Sequence, residues 1–155
     1  MSIHRAVPAT ELPEVRSSAY PPPLLARMGD RVKRRLGDAF GLTQFGVNLV
    51  TLGPGGQSSL RHWHTEEDEL IYVLEGELVL ITDAGEQAVR PGDVVGFPGG
   101  DRDAHQLVNR GAAPARYLEV GSRRDADLAH YPDDDLQWIA RDGDLHPHRK
   151  DGTPY

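Results

Sequence analysis

Two histidines separated by one residue, His62 and His64, are followed by Glu69. On a β-strand, side chains at positions i and i+2 point to the same face, so the two imidazoles share a face and Trp63 points the other way. The four residues between His64 and Glu69 are rich in turn formers and predict a tight hairpin that places Glu69 opposite His64. Two imidazoles and a carboxylate would then converge, as a divalent metal site requires.

The run from Gly56 to Gly76 reads G-x5-H-x-H-x4-E-x6-G. It resembles the first conserved motif of the cupins, with no departure in spacing. The resemblance extends over residues 48–120, about half of the chain. It implies a double-stranded β-helix, also called a cupin or jelly-roll barrel, with a metal ion held inside it.

The second cupin motif has the form G-x5-P-x-G-x2-H-x3-N. Gly92 and Gly100 match its first half, and His105 and Asn109 match its second half. Four residues separate Gly100 from His105 where the pattern has two, so Asp103 occupies the strictly spaced position. Either residue could complete the site. We prefer His105, because the H-x3-N pair is intact and the residues around it are typical of a strand.

The predicted metal ligands are therefore His62, His64, Glu69 and His105. Three neutral imidazoles and one carboxylate carry a charge of −1, so a divalent ion leaves the site with a charge of +1. This donor set suits Fe, Mn, Ni, Co, Cu or Zn and does not select among them. If the ion is six-coordinate, two positions stay open for an oxygen-rich, anionic ligand.

The elements that must position these residues are short strands with frequent turn signals. Alternating apolar residues recur from Gln44 to Gly121, interrupted by glycine- and proline-rich turns, which is typical of a sandwich or barrel. We expect an all-β chain in three parts: an extended arm at residues 1–30, the barrel at 31–121, and a polar tail at 122–155. The tail should lie across the outside of the barrel and be pinned there by Trp138.

Composition narrows the possible partners. The chain has 155 residues, with 17 Lys and Arg against 24 Asp and Glu, and its net charge of −7 argues against nucleic acid. It has no cysteine, no apolar run long enough for a membrane span and no signal-peptide pattern near its first residue, so we expect a cytoplasmic protein. One short basic cluster predicts a solvated surface: Arg31, Lys33, Arg34 and Arg35.

Three function classes remain open. The first is a metal-dependent enzyme on a small molecule, namely a dioxygenase, isomerase or lyase; the second is a non-catalytic binding or sensing protein. The third, a storage protein, is disfavoured because a complete ligand set would be idle. Proton transfer would require a further titratable group, and Tyr117 and Glu119, which share a strand face, are the candidates. Tyr72 has the opposite parity to Glu69 and should face away from the metal.

We also expect a homodimer. A strand predicted at residues 31–36 would lie at the edge of the barrel, where its unpaired backbone groups could pair with the sheet of a second copy. The resemblance points the same way, since it implies that many small cupins are dimers.

Overall fold

The computed structural model describes residues 5–155, so residues 1–4 of the expected arm lie outside the described part. As the alternating patterns predicted, this part is mostly β-strand. Its strands are β1 Arg31–Arg35, β2 Phe45–Leu52, β3 Trp63–His64, β4 Glu69–Glu75, β5 Leu78–Thr82, β6 Gly85–Val89, β7 Val94–Phe97, β8 Gln106–Val108, β9 Ala115–Ser122, β10 Ala129–His130, β11 Gln137–Arg141 and β12 Asp144–His148. Its α-helices are α1 Pro22–Leu25 and α2 Leu36–Ala39, and Ala9–Glu11 and Ala26–Met28 are 3₁₀ turns.

Two antiparallel sheets form the barrel. The larger has the order β1-β2-β9-β4-β7 and the smaller the order β6-β5-β8. Two further antiparallel pairs, β10 with β3 and β11 with β12, involve the C-terminal part of the chain. The predicted all-β fold class is confirmed. Among residues 5–155, no helix combines the length and the apolar character that crossing a membrane demands.

The core lies between the two sheets, because apolar side chains from both belong to one buried cluster. Its members are Val50, Leu52, Ile71, Val73, Leu78, Leu80, Val89, Leu107, Ala115 and Tyr117. In β4, Ile71 and Val73 are buried whereas Leu70, Tyr72 and Leu74 are exposed. This is the two-residue alternation expected of a strand with one face on the core, and it places Tyr72 on the outside as predicted.

A second apolar cluster fastens both ends of the chain to the segment before β3. Met28, Leu60, Tyr131 and Leu136 are its buried members, and Trp138 packs against it. The indole N–H of Trp138 donates to the Tyr131 hydroxyl at 3.2 Å. The tail therefore does more than cross the surface: it supplies part of this cluster and a hairpin, β11–β12.

The predicted tight hairpin between His64 and Glu69 is wrong. β3 pairs with β10, whereas β4 pairs with β7 and β9. The backbone N–H groups of the intervening loop are bound by the tail: Thr65 donates to the Leu128 carbonyl at 3.0 Å, and Glu66 donates to Asp127 at 2.8 Å. The chain therefore leaves β3 without turning back on it and enters the larger sheet at Glu69.

A buried asparagine holds the turn after β8. The Asn109 side chain donates to the carbonyls of Leu52 and Ala113, both at 2.8 Å, and accepts the Gly111 N–H at 2.9 Å. We predict that Asn109→Leu lowers the free energy of unfolding by about 2–4 kcal/mol, because it leaves the buried Leu52 carbonyl unpaired and removes two partly buried hydrogen bonds, to Ala113 and Gly111. Urea denaturation measures the change. The control Gln87→Ala, on an exposed position of β6, should stay within about 0.5 kcal/mol; an equally small effect of Asn109→Leu would contradict the prediction.

Candidate metal centre

Four potential ligand side chains from separate segments meet inside the barrel. His62 lies just before β3 and His64 ends it, Glu69 begins β4, and His105 lies just before β8. His62 and His105 are neighbours in space because each donates its backbone N–H to the other's carbonyl, at 3.1 and 2.8 Å. The structure thus brings the ligand atoms of His62, Glu69 and His105 within 4.8 Å of one another, and His64 adjoins this group through Nε2 of His62.

The distances between their donor atoms suit one ion. Nε2 of His62 lies 3.2 Å from Nε2 of His64, Nε2 of His105 lies 3.0 Å from Oε2 of Glu69, and the His62–Glu69 separation is 4.0 Å. Ligands bonded at about 2.1 Å to one ion are about 3.0 Å apart at right angles, about 3.4 Å apart in a tetrahedron and about 4.2 Å apart when opposite. The three separations lie in the range expected of atoms that bind one ion.

The outer ring nitrogens of two histidines fix which nitrogen faces inward. Nδ1 of His62 is 2.9 Å from the Leu60 carbonyl, and Nδ1 of His64 is 2.6 Å from Asp127. Each contact requires a proton on Nδ1, so in the neutral rings Nε2 carries a lone pair. Two lone pairs facing each other at 3.2 Å repel unless a cation lies between them. The residues present therefore fit a metal ion.

Burial keeps His62 in its metal-binding form. Removal from water lowers the pKa of His62 to about 4, so its ring is neutral at pH 7. For Glu69, burial alone would raise the pKa, but the hydrogen bond from His105 and the nearby imidazoles outweigh it and lower the pKa of that carboxyl. An unprotonated imidazole and an ionised carboxylate are the states in which these groups bind metal.

The structure places His105, and not Asp103, beside Glu69. Asp103 is exposed and accepts the backbone N–H of Asp83 at 2.7 Å. The ring of His105 stacks on Phe97, with centroids 3.5 Å apart and an interplanar angle of 5°. The two extra residues of the second motif are therefore accommodated in the exposed loop, and the histidine keeps its place.

Asp127, in the tail, is a residue that the sequence analysis missed. Its Oδ2 contacts Nδ1 of His64, and its Oδ1 accepts the backbone N–H groups of Glu66 and Glu67 at 2.8 and 3.1 Å. Burial raises the pKa of Asp127, but these hydrogen bonds outweigh it and lower the pKa. Asp127, His64 and Glu67 also form a second group that could hold a metal ion. No local motif marks Asp127, because it lies 63 residues after His64 in a polar stretch.

The ligand cluster opens into a cavity of about 270 Å³. Arg31 and Lys33 line it, so the prediction that the basic cluster is a solvated surface is wrong for these two residues. Side chains alternate between the two faces of β1, so Arg31 and Lys33 share the face towards the cavity. Arg34 faces away from the cavity and pairs with Glu14 at 2.7 Å. The two-residue periodicity of the strand could have predicted that Arg31 and Lys33 face inward.

Glu119 supplies a second carboxylate to the cavity wall. Its Oε1 accepts hydrogen bonds from Nζ of Lys33 at 2.9 Å and from Nδ2 of Asn48 at 3.0 Å. Oε2 has no partner among residues 5–155. The other candidate on this strand, Tyr117, is fully buried in the core, where burial raises the pKa of its hydroxyl well above the usual value. Of the two, Glu119 is the one available for proton transfer.

Comparisons with known proteins agree with this geometry. The family described as Cupin domain matches residues 48–121. A solved structure from Silicibacter pomeroyi, named a sugar phosphate isomerase from a cupin superfamily, is 46% identical with a TM-score of 0.91, over 97% of this chain and 96% of that one. No protein of curated function matches the chain.

Two further solved structures are similar over most of their length. One, from Acidithiobacillus ferrooxidans, is named as a candidate sugar phosphate isomerase; it is 33% identical with a TM-score of 0.72, over 81% of this chain and 80% of that one. The other is a polyketide cyclase from Streptomyces resistomycificus, 26% identical with a TM-score of 0.62, over 77% of this chain and 80% of that one.

Replacing Asp127 tests its action on His64. Asp127→Asn keeps the oxygen that accepts the Glu66 and Glu67 N–H groups but puts an amide where Nδ1 of His64 requires an acceptor. We predict a loss of metal affinity of about 10- to 100-fold, measured by competition with a chelator. Asp125→Asn, an exposed neighbour, should keep wild-type affinity. Equal affinities of the two variants would show that Asp127 does not orient the ring.

Proposed function

This chain belongs to the cupin superfamily, and we propose that it is a metal-dependent isomerase of a small phosphorylated sugar. The observation that carries the proposal is a single cavity lined both by three of the proposed ligands, His62, His64 and Glu69, and by a further carboxylate, Glu119. The names of two similar structures supply the substrate class. A cavity of about 270 Å³ lies just below the usual range for ligand sites, roughly 300–1,000 Å³, which suits a ligand as small as a sugar phosphate.

His62, His64, Glu69 and His105 would hold one divalent ion, drawn from Fe, Mn, Ni, Co, Cu or Zn. When bound, such an ion supplies Lewis acidity that polarises a carbonyl oxygen.

Glu119 lies where a base for this chemistry must be. In the pairing of β4 with β9, Glu69 lies opposite Gly121. Glu119 lies two residues before Gly121 on β9 and on the same face of the sheet. Diagonal neighbours of this kind are about 7–8 Å apart. Lys33 and Asn48 hold one oxygen of Glu119, and the other, which has no partner among residues 5–155, would serve as the base.

The reaction is a proton transfer between adjacent carbons. Glu119 takes the proton from the hydroxyl-bearing carbon next to the carbonyl; the electron pair of that C–H bond forms a C=C bond, and the former carbonyl oxygen gains an electron pair. The protonated Glu119 then returns its proton to the former carbonyl carbon. The hydroxyl proton of the neighbouring carbon moves to the former carbonyl oxygen, which completes the exchange of aldehyde for ketone.

Glu119 also favours the isomerase over the other expected classes. A dioxygenase, a lyase and a non-catalytic binder could all use the same ligand cluster. Retention of a ligand requires no base, however, and the transfer of a proton between two carbons requires one that can both accept and return it. A carboxylate with one oxygen held and one without a partner fits that task.

Proton exchange tests the proposal directly. The metal-loaded protein is incubated in D₂O with aldose and ketose phosphates of three to six carbons, and NMR follows deuterium incorporation beside the carbonyl. We predict that Glu119→Gln slows exchange by about 10²- to 10⁴-fold while metal content is unchanged. Glu75→Gln, at the exposed end of β4, should exchange like wild type. If the wild type exchanges protons with none of the compounds, the proposed function is refuted. If Glu119→Gln exchanges at the wild-type rate, Glu119 is not the base.

The homodimer expected from the sequence is also a proposal, now on a different surface. The middle of the β1 edge is occupied by the chain's own arm, because Val15 and Lys33 exchange backbone hydrogen bonds at 2.8 and 2.9 Å. The outer face of the larger sheet instead exposes an apolar patch, with Leu70, Leu74 and Val94 at 43, 43 and 61% exposure. Contiguous apolar patches of this kind are typical of interaction surfaces.

Light scattering measures the assembly. At micromolar concentration we predict a mass of twice 17.1 kDa for the wild type. The double variant Leu70→Glu, Leu74→Glu should shift to a monomer, because it would bury four like charges across a symmetric interface. Gln87→Glu, on the other sheet, should remain dimeric. A monomeric wild type would end the proposal.

A further inference from the structure

Arg31 is a cation of the cavity wall that has no partner in the described chain. Its Nε is buried and makes no hydrogen bond, and no carboxylate of residues 5–155 forms an ion pair with its guanidinium. The neighbouring carboxylate, Asp30, is bound by Arg16 at 3.3 Å instead. A guanidinium stays charged at any physiological pH, and a partly buried charge is costly to leave unpaired. Arg31 is therefore suited to an anionic ligand.

Hydroxyl groups surround the same part of the cavity. Ser18 and Tyr20 from the arm, and Ser58 and Ser59 from the loop before β3, line it together with Arg31. The Tyr20 hydroxyl accepts the Leu60 N–H at 3.3 Å, and burial raises its pKa, so the phenol is neutral. The planar fork of an arginine binds two oxygens at once, and hydroxyl donors can reach a third. A phosphate offers three such oxygens, whereas a carboxylate offers two.

The charges of the cavity explain why an anion must be bound at a specific point. The wall has four carboxylates and two cations, a formal charge of −2: Glu67, Asp68, Glu69 and Glu119 against Arg31 and Lys33. A divalent ion would bring this charge to zero, so no general positive field attracts an anion. Lys33 is paired with Glu119 at 2.9 Å. Of the two cations, Arg31 remains for the ligand.

We propose that Arg31 binds the phosphate group of the substrate, and that the ligand spans the cavity from Arg31 to the metal-ligand cluster. The proposal rests on the function proposed above. It assigns each end of the ligand: the phosphate is held by Arg31, and the hydroxy-carbonyl end lies between Glu69 and Glu119. A cavity of about 270 Å³, equivalent to a sphere about 8 Å across, brings the two ends within the length of one small sugar phosphate.

Binding of unreactive polyols tests the subsite without relying on turnover. Ribitol 5-phosphate and glucitol 6-phosphate, with ribitol and glucitol as matched compounds, are titrated into the metal-loaded protein by calorimetry. We predict that at least one phosphorylated polyol binds about 30-fold more tightly than its unphosphorylated counterpart. Arg31→Met should remove that preference and leave the unphosphorylated polyol within about twofold. Arg31→Lys should keep part of it, because a single ammonium replaces the fork.

The matched control is Arg35→Met. Arg35 lies on the same strand and face, but its side chain is 57% exposed and does not line the cavity, so wild-type preference is expected. Melting temperature and metal content are measured for every variant. If Arg31→Met does not fold, Arg31→Lys and a competition experiment on the wild type test the subsite instead. In the competition experiment, inorganic phosphate must displace the phosphorylated polyol.

Several results would overturn the proposal. The wild type could show no preference for phosphorylated polyols, or the preference could survive in Arg31→Met. Gluconate could also bind as tightly as the phosphorylated polyols, which would indicate a carboxylate subsite. The proposed function fails separately. Phosphate preference without proton exchange would refute the isomerase and keep the subsite, whereas exchange that is unchanged in Arg31→Met would refute the subsite and keep the isomerase.

Discussion

The repulsion between ligand atoms that face each other is the constraint on which this structure depends. Two ring nitrogens with lone pairs, on His62 and His64, lie 3.2 Å apart. Such an arrangement is unfavourable by itself and must be held by other interactions. The Leu60 carbonyl and Asp127 hold the outer nitrogens of His62 and His64, and Phe97 holds the ring of His105. The β-sheets supply the rigid frame that makes these contacts possible.

The sequence predicted what depends on local spacing. Alternation predicted the strands and the outward direction of Tyr72, and the two motifs singled out the three side chains that the fold gathers into one group, together with the adjoining His64. The hairpin after His64 failed because turn propensity says nothing about which strand is the partner, and a tail residue had already bound the loop's N–H groups. Asp127 could not be found, because a contact across 63 residues has no periodic signal. Arg31 could have been found by parity, had the basic cluster been divided by strand face.

Strand register explains why two cations on one face of β1 have different roles. Lys33 pairs with Val50 on β2. Asn48, two residues before Val50, pairs with Glu119 on β9. Arg31 is level with Leu52, whose partner on β9 is Ala115. A carboxylate is therefore within reach of the lysine and none is offered to the arginine. A shift of two residues that set Arg31 opposite Val50 would give Arg31 the position that Lys33 now holds, so the charge pattern of the cavity is a product of sheet register.

The attachment of His64 to Asp127 makes the C-terminal segment part of the thermodynamics of the metal centre. Tyr131, in the same segment, stacks on His62 with ring centroids 5.9 Å apart, so the tail contacts two of the four proposed ligands. Coupling between two equilibria is reciprocal: if docking of the tail raises the affinity for the ion, the ion stabilises docking by the same free energy. The rate of amide hydrogen exchange in the tail would therefore report whether an ion is bound at the centre. Tail residues well outside the cupin motifs would therefore contribute to how tightly the proposed centre holds an ion.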